Sequence, residues 1–346
     1  MKASVYYSKN DIRYEDIDVP EIGDGDMLIK MHACGLCGTD IHKAQHQTVT
    51  GPVILGHEVS GEVVKVGKEV TRYRVGERVV TAIHVPCFNC HYCDRGFFTL
   101  CDQFKKTNLE PGGFSEFIRI PRLHVEHLTH RIIDELDWNR AAMIEPVACC
   151  LHGLKSANIH AKDTVLVLGS GTIGLVSAQL AALKGASTVI VSDLSRFKRE
   201  LALKVGVTHA IDPANEDLEM RVAEITQGKG PDVVIIAAGV SSLVSQAVNV
   251  VRRGGRVVVF SPFDKNPVVE IDAGRLFRDE ISIVGTYSLT PYDMKEAIEI
   301  VEKNKINTQE MITHTWPLSR IDEAIEFASN PDNDVLKVII KADAES

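Results

Sequence analysis

Cys87, Cys90 and Cys93 recur at every third position, and Cys101 closes the run after seven intervening residues. That spacing lets one short lobe, residues 84–103, wrap four thiolates around a tetrahedral zinc. Four protein ligands leave no place for water, so such a metal would be structural. The competing use of four cysteines is a pair of disulfides. No apolar leader opens the chain, because Lys2, Lys9, Asp11, Arg13, Glu15, Asp16 and Asp18 interrupt its start. The expected location is therefore the cytoplasm, whose reducing poise disfavours disulfides.

A second set of ligand types is dispersed along the chain. Cys37-Gly-Thr39-Asp-Ile-His42 is followed by Gly56-His57-Glu58 and, far downstream, by Glu145-Pro146. One thiolate, one imidazole and one carboxylate, with a position left for water or substrate, make an open catalytic zinc site. Adjacent strand residues point to opposite faces, so His57 and Glu58 reach one metal only where the backbone is irregular. Cys34 and Cys37 also form a CxxC pair, but no thioredoxin-like βαβ pattern surrounds them. Cys149 and Cys150 read as buried thiols of a helix. His124, His127 and His130 read as a solvated connector, Phe114, Phe117 and Tyr287 as packing residues, and Asp40 as a hydrogen-bonding neighbour of Cys37.

The third group is Gly169-Ser-Gly171-Thr172-Ile173-Gly174, which follows an apolar strand and opens a helix. In that context the glycines serve a tight turn, the approach of backbone to a pyrophosphate, and close packing of helix on strand. Asp193 ends the next expected strand, where a carboxylate can accept hydrogen bonds from an adenosine ribose and so favours NAD over NADP. Arg196, Lys198 and Arg199 follow closely enough to tolerate a 2′-phosphate.

The elements that must position these groups change in texture near residue 155. Before it, short Val- and Gly-rich segments such as 59–66 and 77–83, punctuated by turns, predict a mostly β domain. From Asp163 onward strands over 164–168, 188–192, 232–237, 256–260 and 281–284 alternate with helices over 172–184, 196–205 and 242–253. Alternating βα units predict a doubly wound parallel sheet, an α/β fold. Two further helices, 292–304 and 320–329, and a strand, 336–341, follow. A chain of 346 residues, 45% hydrophobic and 25% charged, is expected to hold two domains. The domains are expected at 1–153 and 154–290, with 291–346 returning to the first. The net charge of −9 and the lack of a basic, aromatic-studded run argue against nucleic acid, and no apolar stretch is long enough for a membrane span.

Taken together, Gly56-His57-Glu58-Val-Ser-Gly61, the four-cysteine lobe, Gly112-Gly113-Phe114-Ser-Glu116 and Gly169 to Gly174 resemble the zinc-dependent medium-chain alcohol dehydrogenases over essentially the whole chain. Ile144-Glu145-Pro146, where relatives with a Cys-His-Cys site place a ligand cysteine, gives the resemblance to the polyol (sorbitol) and threonine dehydrogenase branch. The resemblance implies a GroES-like catalytic domain joined to a Rossmann domain, two zinc ions per chain, NAD, and a homo-oligomer, either tetramer or dimer. It implies that zinc on Cys37, His57 and a carboxylate, Glu58 or Glu145, activates a secondary alcohol whose hydride passes to the nicotinamide. Thr39 would take the hydroxyl proton and pass it through the cofactor ribose toward His42. Lys198 would lie near the adenosine ribose. A sugar alcohol or cyclitol is the expected small-molecule substrate. Oxidation of a hydroxy-amino acid such as threonine and a catalytically degenerate NAD(H)-binding protein are the alternatives.

Overall fold

Strand Met27–Leu36 is buried along nearly its whole length, as a strand flanked on both edges and covered on both faces must be. In the computed structural model, which describes residues 1–263 and 267–343, it forms the middle of a seven-stranded sheet. On one side it pairs antiparallel with Lys337–Lys341, which pairs in turn with Ile312–Pro317. On the other it pairs antiparallel with Glu58–Val66, which leads on to Arg78–Thr81 and His130–Arg131. These elements belong to a unit made of Met1–Glu145, Thr290–Asn304 and the chain from Ile312 onward. Its core includes Met27, Ile29, Met31, Val59, Val63, Val79, Ile118, Val338 and Ile340.

The second unit comprises Pro146–Leu289 and Lys305–Met311, so that short piece of the expected return segment groups with the second unit. Strand Thr164–Leu168 is flanked by Thr188–Ser192, then His209–Ile211, on one side, and by Val233–Ile236, Arg256–Val259 and Ser282–Gly285 on the other, all parallel. In chain order this is 3-2-1-4-5-6, the doubly wound order whose switch point lies at the carboxyl end of Thr164–Leu168. His209–Ile211, Leu218–Ile225, Ala273–Arg278 and Ile312–Pro317 are elements the periodicity did not signal. Three of the four span six residues or fewer, too few to show a repeat. Among the described residues no helix is long and apolar enough to cross a membrane.

Candidate active site and metal centres

No disulfide joins any of the eight cysteines, so the disulfide alternative for the lobe falls away. The sulfurs of Cys87, Cys90, Cys93 and Cys101 converge: Cys101 lies 3.5 Å from Cys87, Cys90 lies 3.6 Å from Cys93, and Cys87 lies 4.0 Å from Cys93. Zinc–sulfur bonds of ~2.3 Å in a tetrahedron require sulfurs about 3.8 Å apart, so the cradle fits this metal. Burial raises the Cys101 thiol, but backbone amides, chiefly those of Cys87 and Gln103, outweigh it and bring the thiol down to about 7. The lobe's own apolar cluster is small, Phe98 and Phe104 packed among the cysteines, so metal binding must supply much of its stability. Cys93→Ser is therefore expected to lower the unfolding midpoint by roughly 5–10 °C and to cost one bound zinc. Calorimetry with metal analysis checks both.

The dispersed ligand types also meet. One ligand atom each from Cys37, His57 and Glu58 lies within 4.8 Å of the others. Local folding explains how adjacent residues serve one point: Glu58 is the first residue of its strand, while His57 precedes it, after Gly56 with φ +87°. The irregularity required at that step is thus a left-handed glycine. Cys37 caps helix Gly38–His46, its sulfur accepting the Thr39 amide at 3.5 Å while the Asp40 carboxylate accepts the Cys37 amide at 3.2 Å.

Asp40 is fully buried and does more than neighbour Cys37. Its Oδ1 accepts the Gly56 amide at 3.2 Å and lies 3.3 Å from His57 Nδ1. A carboxylate on the Nδ1–H fixes the tautomer that offers Nε2 to a metal. Burial raises the Asp40 carboxyl, but the His57 charge and the Gly56 and Cys37 amides hold it below its usual range. Burial likewise lowers the His57 imidazole, and Asp40 and Cys37 outweigh it and raise it well above its usual value.

Lys337 joins the site without belonging to any of its motifs. Its side chain is buried and ion-paired with Glu58, and its Nζ donates to the Leu36 carbonyl at 3.2 Å. The only signal was a lysine within a strand otherwise made for the core, KVIIK. Glu145, in the first turn of helix Ile144–Ala157, is buried but is not part of the convergent group; its charge acts on Lys337. Thr39 is exposed at the start of its helix, and His42, one turn on, packs its ring against His46 at 4.6 Å.

Other expectations are corrected. His124 is buried, its Nε2 2.9 Å from the Ile83 carbonyl oxygen, so it supports the fold and is not part of a solvated connector. Of the two helix cysteines only Cys150 is buried; Cys149 is partly exposed. Tyr287 is 46% exposed and Phe117 half-buried, whereas Phe114 is core.

In the second unit the glycine-rich turn sits at the switch point. Gly169 has φ +99°, and a Cβ on Gly174 would stand 1.9 Å from the Gly169 carbonyl oxygen, so neither position tolerates a side chain. Gly171, which caps helix Thr172–Leu183 with Ile173 in its first turn, faces open space, as an approach to phosphate requires. The Asp193 carboxylate accepts the Ser170 amide at 2.6 Å and the Ser195 amide at 2.8 Å, tying the turn to the next loop. Lys198 lies in the first turn of helix Arg196–Lys204. Arg199 binds the Asp193 and Leu194 carbonyls and pairs with Asp212 at 2.7 Å, so it is committed to the fold and is no partner for a 2′-phosphate.

Residues 172–303 match the family model for zinc-binding dehydrogenases, and residues 23–130 match that for the alcohol dehydrogenase GroES-like domain. The chain is 36% identical to D-arabitol-phosphate dehydrogenase of Enterococcus avium, over 95% of this chain and 94% of that protein. It is 33% identical to sorbitol dehydrogenase of Halalkalibacterium halodurans, over 93% of each. A crystal structure of a Sinorhizobium meliloti protein bound to NADP superposes with a TM-score of 0.90 at 34% identity, covering 98% of each chain. The relatives are polyol enzymes, so the hydroxy-amino acid alternative is not favoured. With its ligand sets converged, its dinucleotide turn at the switch point and these matches, the chain belongs to the zinc-dependent medium-chain dehydrogenases, in their polyol branch.

Proposed function

We propose that this enzyme oxidises a secondary hydroxyl of a polyol to the ketone, transferring hydride to NAD and releasing one proton, and that the reaction centre is Cys37, His57 and Glu58. The observation that carries the reading is the convergence of those three ligand atoms beside the exposed Thr39. Zinc bound there would supply the Lewis acidity that lowers the pKa of a substrate hydroxyl. Asp40 holds His57 in its ligating tautomer, Thr39 takes the proton at its hydroxyl, and His42, on the same helical face, is the proton's acceptor beyond it; a bound NAD would supply the hydride acceptor. Glu145 helps to keep Lys337, the partner of Glu58, in its charged ammonium form. Cys87, Cys90, Cys93 and Cys101 hold the second, structural zinc. Gly169, Gly171, Thr172, Ile173 and Gly174 receive the pyrophosphate, and Asp193 and Lys198 lie at the adenosine ribose.

A phosphorylated polyol is the second reading. The D-arabitol-phosphate relative favours it, and the half-buried Lys43, four residues on from Thr39 along the same helical face, offers the positive charge it needs. Initial rates of NADH formation on a panel of polyols, cyclitols and polyol phosphates test the assignment. Turnover of a polyol or its phosphate is expected, and a panel without NADH formation contradicts it. Eight cysteines without a disulfide suit the proposed cytoplasmic location, and the exposed Val268 and Phe277 suit assembly into a homo-oligomer.

Cofactor choice gives a further expectation, since the Sinorhizobium protein holds NADP. A carboxylate at Asp193 repels a 2′-phosphate and attracts ribose hydroxyls. The parent is expected to favour NAD by about tenfold or more in kcat/KM, about 1.4 kcal/mol. Asp193→Gly should narrow that ratio while raising KM for both cofactors, because two backbone amides lose their acceptor. Steady-state kinetics with both cofactors decide it; an unchanged ratio removes Asp193 from the ribose site.

A further inference from the structure

Glu58 carries a single carboxylate, yet two cationic groups lay claim to it. One is the metal expected among Cys37, His57 and Glu58. The other is Lys337, whose ammonium ion-pairs with Glu58 Oε2 where both side chains are only 2% exposed. A lysine is rarely buried so fully, because desolvating its charge costs several kcal/mol unless a partner compensates. The backbone makes room for the pair. Gly35 stands opposite Glu58 in the sheet register, and a Cβ on Gly35 would lie 1.8 Å from Glu58 Oε2 and 2.8 Å from Lys337 Cε. Lys337 Nζ also donates to the Leu36 carbonyl. One oxygen of the carboxylate is thus occupied by a fixed positive charge.

We propose that Lys337 is a positioning residue that sets how Glu58 engages the catalytic metal. By occupying Oε2 it leaves Oε1 as the one oxygen available to the metal and reduces the charge that oxygen presents. Glu58 then serves as a weak, exchangeable ligand, and a coordination position stays open for the substrate. Without the ammonium, the carboxylate turns its full charge and both oxygens to the metal, binding it more tightly and closing that position. This inference rests on the reading of Cys37, His57 and Glu58 as the catalytic metal site.

The test replaces the catalytic zinc by Co²⁺ in the full-length protein, then records the visible spectrum and the rate of metal release to dipicolinate. Lys337→Gln removes the charge and keeps a hydrogen-bonding side chain. Gly35→Ala reaches the same end independently, its methyl evicting Glu58 Oε2 from the pair. Both variants are expected to change the visible bands in the same sense and to release cobalt about tenfold or more slowly, the scale of one unit charge in a shielded interior. Lys337→Arg should restore the parental release rate. A parental spectrum, or release as fast as or faster than the parent's, overturns the positioning role; if Lys337→Gln does not fold, Gly35→Ala alone decides. A parent that takes up no cobalt at this site overturns the reading of the site itself, a result the variants cannot mimic.

Discussion

Cys37→Ala is expected to reduce turnover by roughly a thousandfold or more while leaving the protein folded. The magnitude follows from removing a ligand: Lewis-acid stabilisation of charge on a substrate oxygen is worth several kcal/mol, and about 4 kcal/mol is a factor near a thousand in rate. The fold survives because Cys37 is only partly buried and its structural contribution is one helix cap. Losing such a cap costs about 1 kcal/mol. An unfolding midpoint within a few degrees of the parent, together with collapsed kcat, is the expected pair of results. Activity within tenfold of the parent would remove Cys37 from the reaction centre.

Thr39→Val preserves shape and deletes a hydroxyl. If that hydroxyl takes the substrate proton, kcat falls by roughly 100-fold or more, the usual scale for a positioned general base. Thr39 is exposed, so no packing defect should accompany the change. Thr39→Ser, which keeps the hydroxyl, should recover most of the rate. Rapid-mixing measurement of NADH formation separates the chemical step from product release. A valine variant as fast as its parent would mean that the proton leaves by another route.

Much of the fold was legible because its signals are local. Thr164–Leu168 and Thr188–Ser192 begin and end where the apolar runs do, since a parallel strand covered on both faces must be apolar throughout. The metal lobe was legible for a similar reason, four ligands within fifteen residues of one another. What escaped was long-range. Nothing in KVIIK shows that Lys337 faces Glu58, because their meeting depends on Lys337–Lys341 pairing with Met27–Leu36 across some three hundred residues. Asp40 was noticed, but its bond to His57 needed the turn at Gly56 to bring the two together. Arg199 looked available to a phosphate from its spacing alone, and only the fold shows it bound to Asp212.

The clash between strand alternation and shared ligation was resolved by geometry the sequence only hinted at. Gly56 could be read as a turn residue, but not that the strand would start at Glu58, leaving His57 free of its alternation. Glu145 shows another limit: the motif named it beside Glu58 as a possible ligand, while its electrostatic link to Lys337, the partner of Glu58, depends on the fold.

Zinc counting tests the central claim most directly. The metal-saturated parent is predicted to hold two zinc ions per chain and Cys37→Ala one, because one ligand set is cut and the four-thiolate lobe is untouched. A single zinc in the saturated parent, or two in the variant, would contradict the assignment of Cys37, His57 and Glu58 as the catalytic metal site.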